Sequence, residues 1–327
     1  MKKRLFLTGV TGNLGYAIRS AAADFDATAL VRNPSGLFDQ ITTVSGDLAQ
    51  VSRIAPRDFN VILHAAADTR FTAPRAELWR TNVEGVREMI AFARTCPRLE
   101  RFIYLSTTCV WGDARGRIAE IACTTRPGFH NDYELTKWEA ERMLMESQLP
   151  VQIVRIPIVI GNEGDGSIFR NGAIHLSLKW IARGLLSVIP AHPNARLDLV
   201  SVDFVGRGLA QILSLKDSRR SVIHLSLGDH APPLTEVLEF LMRWIRKTEE
   251  PNPPAIVDLA TYRLFKDLIA QTGDALFTQI YQMADVFLSS LVYPKVFNTS
   301  LAENVQRPAW RQLCRKVFQY HLKHEYI

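Results

Sequence analysis

Tyr133 and Lys137 stand four residues apart in NDYELTKWEAERML, a spacing that sets both on one face of a helix. An ammonium beside a phenol favours the phenolate and draws its pKa down from about 10 toward neutrality, which suits a group that exchanges a proton with a reacting oxygen. Ser106 and Thr107 close the apolar run RFIYLST about 25 residues upstream, where a hydroxyl can hold that oxygen. Alone, a Y-x-x-x-K pair equally fits an aromatic ring packed beneath a lysine stem. The hydroxyl pair and the glycine turn described next give it chemical meaning. Asn82, a polar residue inside the helical pattern of TNVEGVREM, is placed to interrupt that helix and to hold a water that links Lys137 to solvent.

The second constellation is LFLTGVTGNLG, in which Thr8, Gly9, Thr11, Gly12, Asn13, Leu14 and Gly15 follow a β-prone run and open a helix. Glycines there tighten the turn, let backbone amides approach a pyrophosphate, and allow the helix to lie close on the strand. The spacing is G-x-x-G-x-x-G rather than G-x-G-x-x-G. At the end of the next strand, ALVRN puts Arg32 where an acidic residue would accept hydrogen bonds from a ribose 2′-OH. A guanidinium matches a 2′-phosphate instead, so NADP(H) is expected ahead of NAD(H). Asp47, followed by Leu48 in SGDLAQ, suits the adenine N6 amine or, equally, a helix N-cap. Ala65, Ala66 and Ala67 in HAAADTRF leave room for a cofactor to cross the strand ends, while His64 reads as a hydrogen-bonded structural residue.

These groups need a scaffold, and 327 residues suffice for a large α/β domain with a smaller lobe. With 39 basic against 33 acidic residues the net charge is +6, and 22% charged with 47% hydrophobic residues excludes disordered, collagenous and wholly membrane-embedded classes. That mild charge does not point to nucleic acid. Cys96, Cys109, Cys123 and Cys314 form no C-x-x-C pair, so neither a metal site nor a disulfide framework is expected, and free thiols suit the cytoplasm. MKKRLFLTG reads as a first strand rather than a secretion signal, and no run of eighteen apolar residues is present to form a transmembrane segment.

Short apolar runs alternate with helical patterns through the first 160 residues, the rhythm of a parallel sheet. RLFLTG, ATALVR, NVILHAA, RFIYLST and VQIVRIPIVIG are the strand candidates. Helices are expected over Asn13 to Ala23, Arg75 to Arg94 and Tyr133 to Ser147. LDLVSV and SVIHLSL are later β-prone stretches, and TEEPNPPA is a punctuated linker before a mostly helical tail. The expected architecture is a Rossmann-type doubly wound parallel sheet with a smaller, mainly helical C-terminal substrate lobe. Residues 1–160 would form the core, completed by strands within 195–228, and 161–194 with 229–327 the lobe. The aromatic-rich run from Ile280 to Phe297 fits either lobe packing or the wall of an acyl channel.

Taken together, these motifs resemble the extended short-chain dehydrogenase/reductase superfamily, in order, over roughly residues 1 to 230. Its T-G-x-x-G-x-x-G turn falls on Thr8, Gly9, Gly12 and Gly15, its adenine-contacting aspartate on Asp47, and its helix-bending asparagine on Asn82. The resemblance implies a catalytic set of Thr107, Tyr133 and Lys137, with Ser106 before the hydroxyl and Trp111 replacing the usual aromatic before Gly112. It also implies that backbone near Pro157, Ile158 and Val159 holds the nicotinamide carboxamide. LVRN, HAAADTRF, TNVEGVREM, YELTKWEAE and RIPIVIG look most like the thioester reductase and fatty acyl reductase branch. That branch implies NADPH-dependent reduction of a small-molecule carbonyl or acyl thioester, free or carrier-bound, and a homodimer as the assembly. Nucleotide-sugar epimerase and alcohol dehydrogenase are the alternatives, and a non-catalytic NADP-binding sensor is a third. Thr108 and Cys109 occupy the places where dehydratases carry an Asp and Glu pair, which disfavours that chemistry.

Overall fold

The computed structural model describes residues 2–33, 41–53, 58–215, 222–246, 252–301, 304–324 and 326. Seven parallel strands form the central sheet: β1 (Arg4–Thr8), β2 (Asp26–Val31), β3 (Thr42–Ser45), β4 (Val61–His64), β5 (Arg101–Thr107), β6 (Val151–Ile156) and β7 (Val222–His224). Their order across the sheet is β7-β6-β5-β4-β1-β2-β3. The order reverses between β1 and β4, the switch point at which open α/β sheets leave a crevice for ligands at the carboxyl ends of the strands.

Strand alternation shows why both faces are buried. Leu5, Leu7, Ala29, Leu63, Ile103, Leu105 and Val154 point to one side, where they pack with α1 (Gly15–Ala21) and a later helix, Val202–Ser214. Phe6, Leu30, Ile62, Phe102, Tyr104 and Ile153 point to the other, toward the helical stretch 75–94 and Asp132–Glu146. Helices on both faces leave no side of the sheet for water, so its strands read as near-continuous apolar runs. The first long helical stretch is interrupted: α2 (Arg75–Trp79) passes through a π-helical turn, Arg80–Glu84, into α3 (Gly85–Arg94). Asn82 lies inside that turn, as expected of a helix-bending residue.

The run VQIVRIPIVIG is two strands rather than one. It breaks at Pro157, which cannot donate to a ladder, and its second half, Ile158–Gly161, leaves the sheet to pair in parallel with Leu199–Ser201. LDLVSV therefore does not extend the central sheet, whereas SVIHLSL does, supplying the edge strand β7 beside β6. A separate apolar cluster gathers Ile174, Leu178, Leu238, Tyr262, Tyr281, Phe287 and Phe318 from the later helices, and α4 (Asp132–Glu146) is tied to it by its N-cap Asn131, which donates to the Val286 carbonyl. The helices of this cluster are α5 (Ala173–Ala182), α7 (Leu234–Arg246), α8 (Leu259–Gln271), α9 (Ala275–Leu288) and α10 (Trp310–Lys323), α6 being Val202–Ser214. The fold is thus a Rossmann-like parallel sheet with an additional, mostly helical C-terminal region. Among the described residues no helix is long and apolar enough to cross a membrane.

Candidate active site

Thr8 ends β1, and its hydroxyl is the hub of the first strand crossing. Its Oγ1 accepts from the amides of Ala65 and Ala66, each at 3.1 Å, and meets His64 Nδ1 at 2.7 Å. Gly9 follows with φ +79°, and a Cβ there would stand 2.6 Å from the Ala65 carbonyl carbon. Gly15 is equally constrained, since a Cβ would sit 2.1 Å from the Val10 carbonyl oxygen. The turn closes on itself through Gly12 N to Gly9 O and Gly15 N to Gly12 O. Gly9, Gly12, Gly15 and the strand end at Ala65 and Ala66 are therefore brought together as expected, with Thr11, Asn13 and Leu14 carried between the glycines and Ala67 continuing the strand end.

Arg32 and Asp47 lie at neighbouring strand ends, because the Gly46 amide donates to the Val31 carbonyl at 2.9 Å. Both side chains are exposed. Leu48 has a packing role: its Cδ1 lies where a Cβ on Gly85 would be, 2.7 Å away, so it fixes the segment after β3 against α3. Ile158 and Val159 run in register beside Leu199 and Val200. The Ile158 amide is already given to the Asp198 carbonyl at 3.2 Å, which removes it from the donors expected near Pro157 for a carboxamide.

At the end of β5 the Thr107 hydroxyl accepts from the Cys109 amide at 3.2 Å and lies close enough to the buried Tyr133 phenol to draw its pKa down. Ser106 Oγ beside it is buried and unpartnered among the described residues. A buried hydroxyl left unsatisfied costs stability unless something meets it, and its place at the carboxyl end of β5, one strand from the switch point, fits a bound cofactor. Tyr133 stacks on Phe71 at 5.1 Å between ring centroids, and Phe71 on Phe287 of α9 at 6.3 Å. Asn131, the N-cap of α4, donates from Nδ2 to the Val286 carbonyl at 3.2 Å, tying the start of the tyrosine helix to α9.

Lys137 is fully buried and does not aim its ammonium at Tyr133. It donates to the Tyr104 hydroxyl at 2.6 Å and to the Leu105 carbonyl at 2.9 Å. The expected lowering of the Tyr133 pKa is accordingly not what this chain shows. Burial pushes the phenol well above its usual range, with Cys109 and Glu134 adding to the rise and Thr107 alone opposing it. Burial also pulls Lys137 down to about 7, against the pull of Glu141. Nor does Asn82 meet Lys137: its Nδ2 donates to the Asp68 carbonyl at 2.9 Å and to Thr136 Oγ1 at 3.1 Å, and its Oδ1 accepts from the Asp68 amide. Asn82 pins the loop after β4 to the tyrosine helix, one residue from Lys137.

Three residues at this site escaped the sequence reading. Tyr104 is two positions before Ser106 on one strand, so alternation alone places both on the same face. Phe71 carried no local signal, and Glu134 follows Tyr133 as an ordinary helix-opening acid. Burial pushes the Glu134 carboxyl up to about 7 even though the His130 amide donates to it at 2.9 Å.

The buried titratable groups set an acid response. Burial lowers His64 to about 3, with Lys137 adding to the fall, and holds His175 and His224 at about 4. Between pH 5 and 6 the unfolded chain protonates all three imidazoles while the folded chain does not. Glu134, at about 7, and Asp198, raised by burial to about 6, work the other way, keeping protons that the unfolded chain has released. Three protons against two leaves about one, and His130 and His321, also lowered by burial, add to the same side, so stability should fall by at least about 1 kcal/mol per pH unit as pH drops through that window. Urea titrations at pH 5.0, 5.5 and 6.0 measure this slope, and His64→Gln should flatten it; stability that climbs toward pH 5 would contradict the assignment.

The sheet order, the switch-point crevice and the glycine turn go with a member of the extended short-chain dehydrogenase/reductase superfamily of NAD(P)-binding proteins, related to its thioester reductase and fatty acyl reductase branches. More narrowly, the chain belongs to the NAD-binding family described as male sterility protein, whose model matches residues 22–209. A Drosophila melanogaster protein provisionally named as a fatty acyl-CoA reductase is 25% identical over 272 residues, 62% of this chain and 50% of that protein. The glycine betaine reductase ATRR of Emericella nidulans is 26% identical over 70% of this chain and 21% of its own length. This chain thus spans half the length of the first relative and about a fifth of the second. Among solved structures, the terminal R domain from the myxalamid PKS-NRPS pathway superposes with a TM-score of 0.79 at 20% identity, covering 100% of this chain and 92% of that domain. UDP-glucuronic acid 4-epimerase from Bacillus cereus, in complex with NAD, gives 0.67 at 15% identity, covering 99% and 100%. At such identities these two likenesses speak for the fold alone.

Proposed function

We propose that the protein is an NADPH-dependent reductase of an apolar carbonyl compound, an aldehyde, a ketone or an acyl thioester. The observation that carries this reading is the Thr107–Tyr133 hydroxyl pair beneath the aromatic wall of Phe71 and Phe287. A sugar nucleotide would need polar partners there, whereas stacked rings favour an alkyl or acyl chain. Arg32, exposed at the end of β2, supports NADPH over NADH.

Bound NADPH would supply the hydride at the carbonyl carbon. Gly9, Gly12 and Gly15 would admit the diphosphate, Ser106 would meet the cofactor with its free hydroxyl, and Arg32 would face the 2′-phosphate. Thr107 holds the carbonyl oxygen, and Tyr133 gives its proton to that oxygen as the C–H bond forms. Lys137 turns from Tyr104 toward the cofactor ribose and, when charged, favours the phenolate that Tyr133 becomes. With a thioester the first reduction yields a hemithioacetal, which splits into aldehyde and thiol. The likeness to the R domain makes a carrier-bound thioester a natural first acyl substrate to try. Oxidation of NADPH followed at 340 nm across medium-chain aldehydes and acyl thioesters tests the reading. Turnover on either class is the expected result; redox-neutral conversion of a UDP-sugar without net NADPH loss would replace it with an epimerase.

A further inference from the structure

Residues 162–172 run from the strand Ile158–Gly161 to α5, and their two halves differ. The first half is braced: Asn162 and Ser167 bond through both backbone and side chain, and Lys316 donates to the Glu163 carbonyl. The second half reaches back over the glycine turn. There the Asn13 side chain makes a two-point contact with the backbone of Arg170, Nδ2 donating to the Arg170 carbonyl at 3.0 Å and Oδ1 accepting from the Arg170 amide at 2.8 Å. The far end is fixed as well, because Asn171 Oδ1 meets His321 Nε2 at 2.8 Å and the Gly172 amide donates to His175 Nδ1 at 3.0 Å.

This geometry holds the Arg170 backbone in place while its side chain stays exposed against the Phe169 ring, 5.4 Å from the centroid. Among the described residues no carboxylate forms an ion pair with it. Its charge nevertheless reaches the Asp68 carboxylate in the loop after β4. Arg170 therefore stands between the glycine turn, through Asn13, and the Ala65–Asp68 strand end, the two walls of the switch-point crevice. A cation whose backbone is fixed and which, among the described residues, forms no ion pair at the mouth of an anion-binding crevice is placed to meet that anion.

We propose that Asn13 and Arg170 form a clasp that draws residues 168–172 over a bound dinucleotide and presents the Arg170 guanidinium to its diphosphate. The proposal rests on the dinucleotide reading of the glycine turn and adds a second element to it. A diphosphate is common to NADPH and NADH, so a clasp on it serves both cofactors alike, whereas Arg32 distinguishes them.

Equilibrium binding of NADPH and of NADH to the full chain, followed by fluorescence energy transfer from protein to reduced nicotinamide, tests the clasp. Arg170→Ala should weaken both dinucleotides by about the same factor, roughly tenfold for one lost charge-assisted contact, with an unchanged melting temperature because the side chain is exposed. Asn13→Ala should weaken both, and the double variant should lose little more than Arg170→Ala alone, since the two residues act as one unit. Arg170→Lys should keep part of the affinity. Affinities within twofold of the parent chain in Arg170→Ala overturn the clasp, and so does weakening confined to NADPH, which would place Arg170 on the 2′-phosphate. If the parent chain binds neither dinucleotide, the cofactor reading itself fails and the clasp with it.

Discussion

Tyr133→Phe should lower NADPH turnover by roughly 10²–10⁴-fold, the range in which a positioned proton donor contributes, while leaving NADPH affinity within about threefold. The change removes one oxygen. The ring remains stacked on Phe71, and the helix keeps its Asn131 cap, whose Oδ1 accepts from the Glu134 amide at 2.9 Å. The phenol is buried beside the Thr107 hydroxyl, and the variant leaves untouched the bond that Thr107 accepts from the Cys109 amide. A matched Thr107→Val variant should also lose most activity, because the carbonyl oxygen then lacks its second hydroxyl. Steady-state rates combined with NADPH titration decide the matter. A Tyr133→Phe enzyme that retains more than a tenth of parental turnover would show that the proton comes from another group.

The glycine turn was legible in the sequence because its requirements are local. Gly9 needs a positive φ and Gly15 needs closeness to Val10, and both follow from a strand that turns at once into a helix. The Tyr133 and Lys137 pair was legible through helical spacing, and the hydroxyl pair through its place at a strand end. What spacing does not encode is direction in three dimensions. Lys137 lies on the expected face, yet Tyr104 from a strand 33 residues away intercepts its ammonium. Phe71 stacks on Tyr133 and is itself packed by Phe287, more than 200 residues away in sequence. The run ending in RIPIVIG is continuous in hydropathy, and Pro157 was the single mark of the break that sends Ile158–Gly161 away from the central sheet. Most of the C-terminal helices were recognisable as helical and apolar, but their packing depends on partners far apart in sequence, such as Phe240 with Trp310 and Trp244 with Phe318.

The largest expected loss of stability comes from an ion pair beneath the active site. Arg155 on β6 is fully buried and meets Glu141 of α4 through two bonds, Nε to Oε1 at 3.0 Å and Nη2 to Oε2 at 2.7 Å. Its Nη1 donates to the Ile121 carbonyl and approaches His224 Nε2 at 3.3 Å, and the guanidinium lies over Trp111. Removing the carboxylate strands a guanidinium in a dry interior, which typically costs about 3–5 kcal/mol, a large part of the stability of an ordinary domain. Glu141→Leu should therefore unfold at a much lower urea concentration than the parent chain. Glu141→Leu combined with Arg155→Met should recover much of the loss, because no buried charge is then left unpaired.

On the proposed mechanism the pair also bears on turnover. Glu141 raises the pKa of Lys137 against the pull of burial, so Glu141→Gln, which keeps the shape, should lower the Lys137 pKa further below about 7. The ammonium that favours the Tyr133 phenolate would then be present only at more acidic pH, and the pH profile of turnover should move downward in Glu141→Gln, with NADPH affinity at pH 6 unchanged. A Glu141→Leu chain as stable as the parent, within about 1 kcal/mol, would mean that the guanidinium finds other partners. An unmoved pH profile in Glu141→Gln would separate Arg155 and Glu141 from the reaction and leave them a purely structural brace.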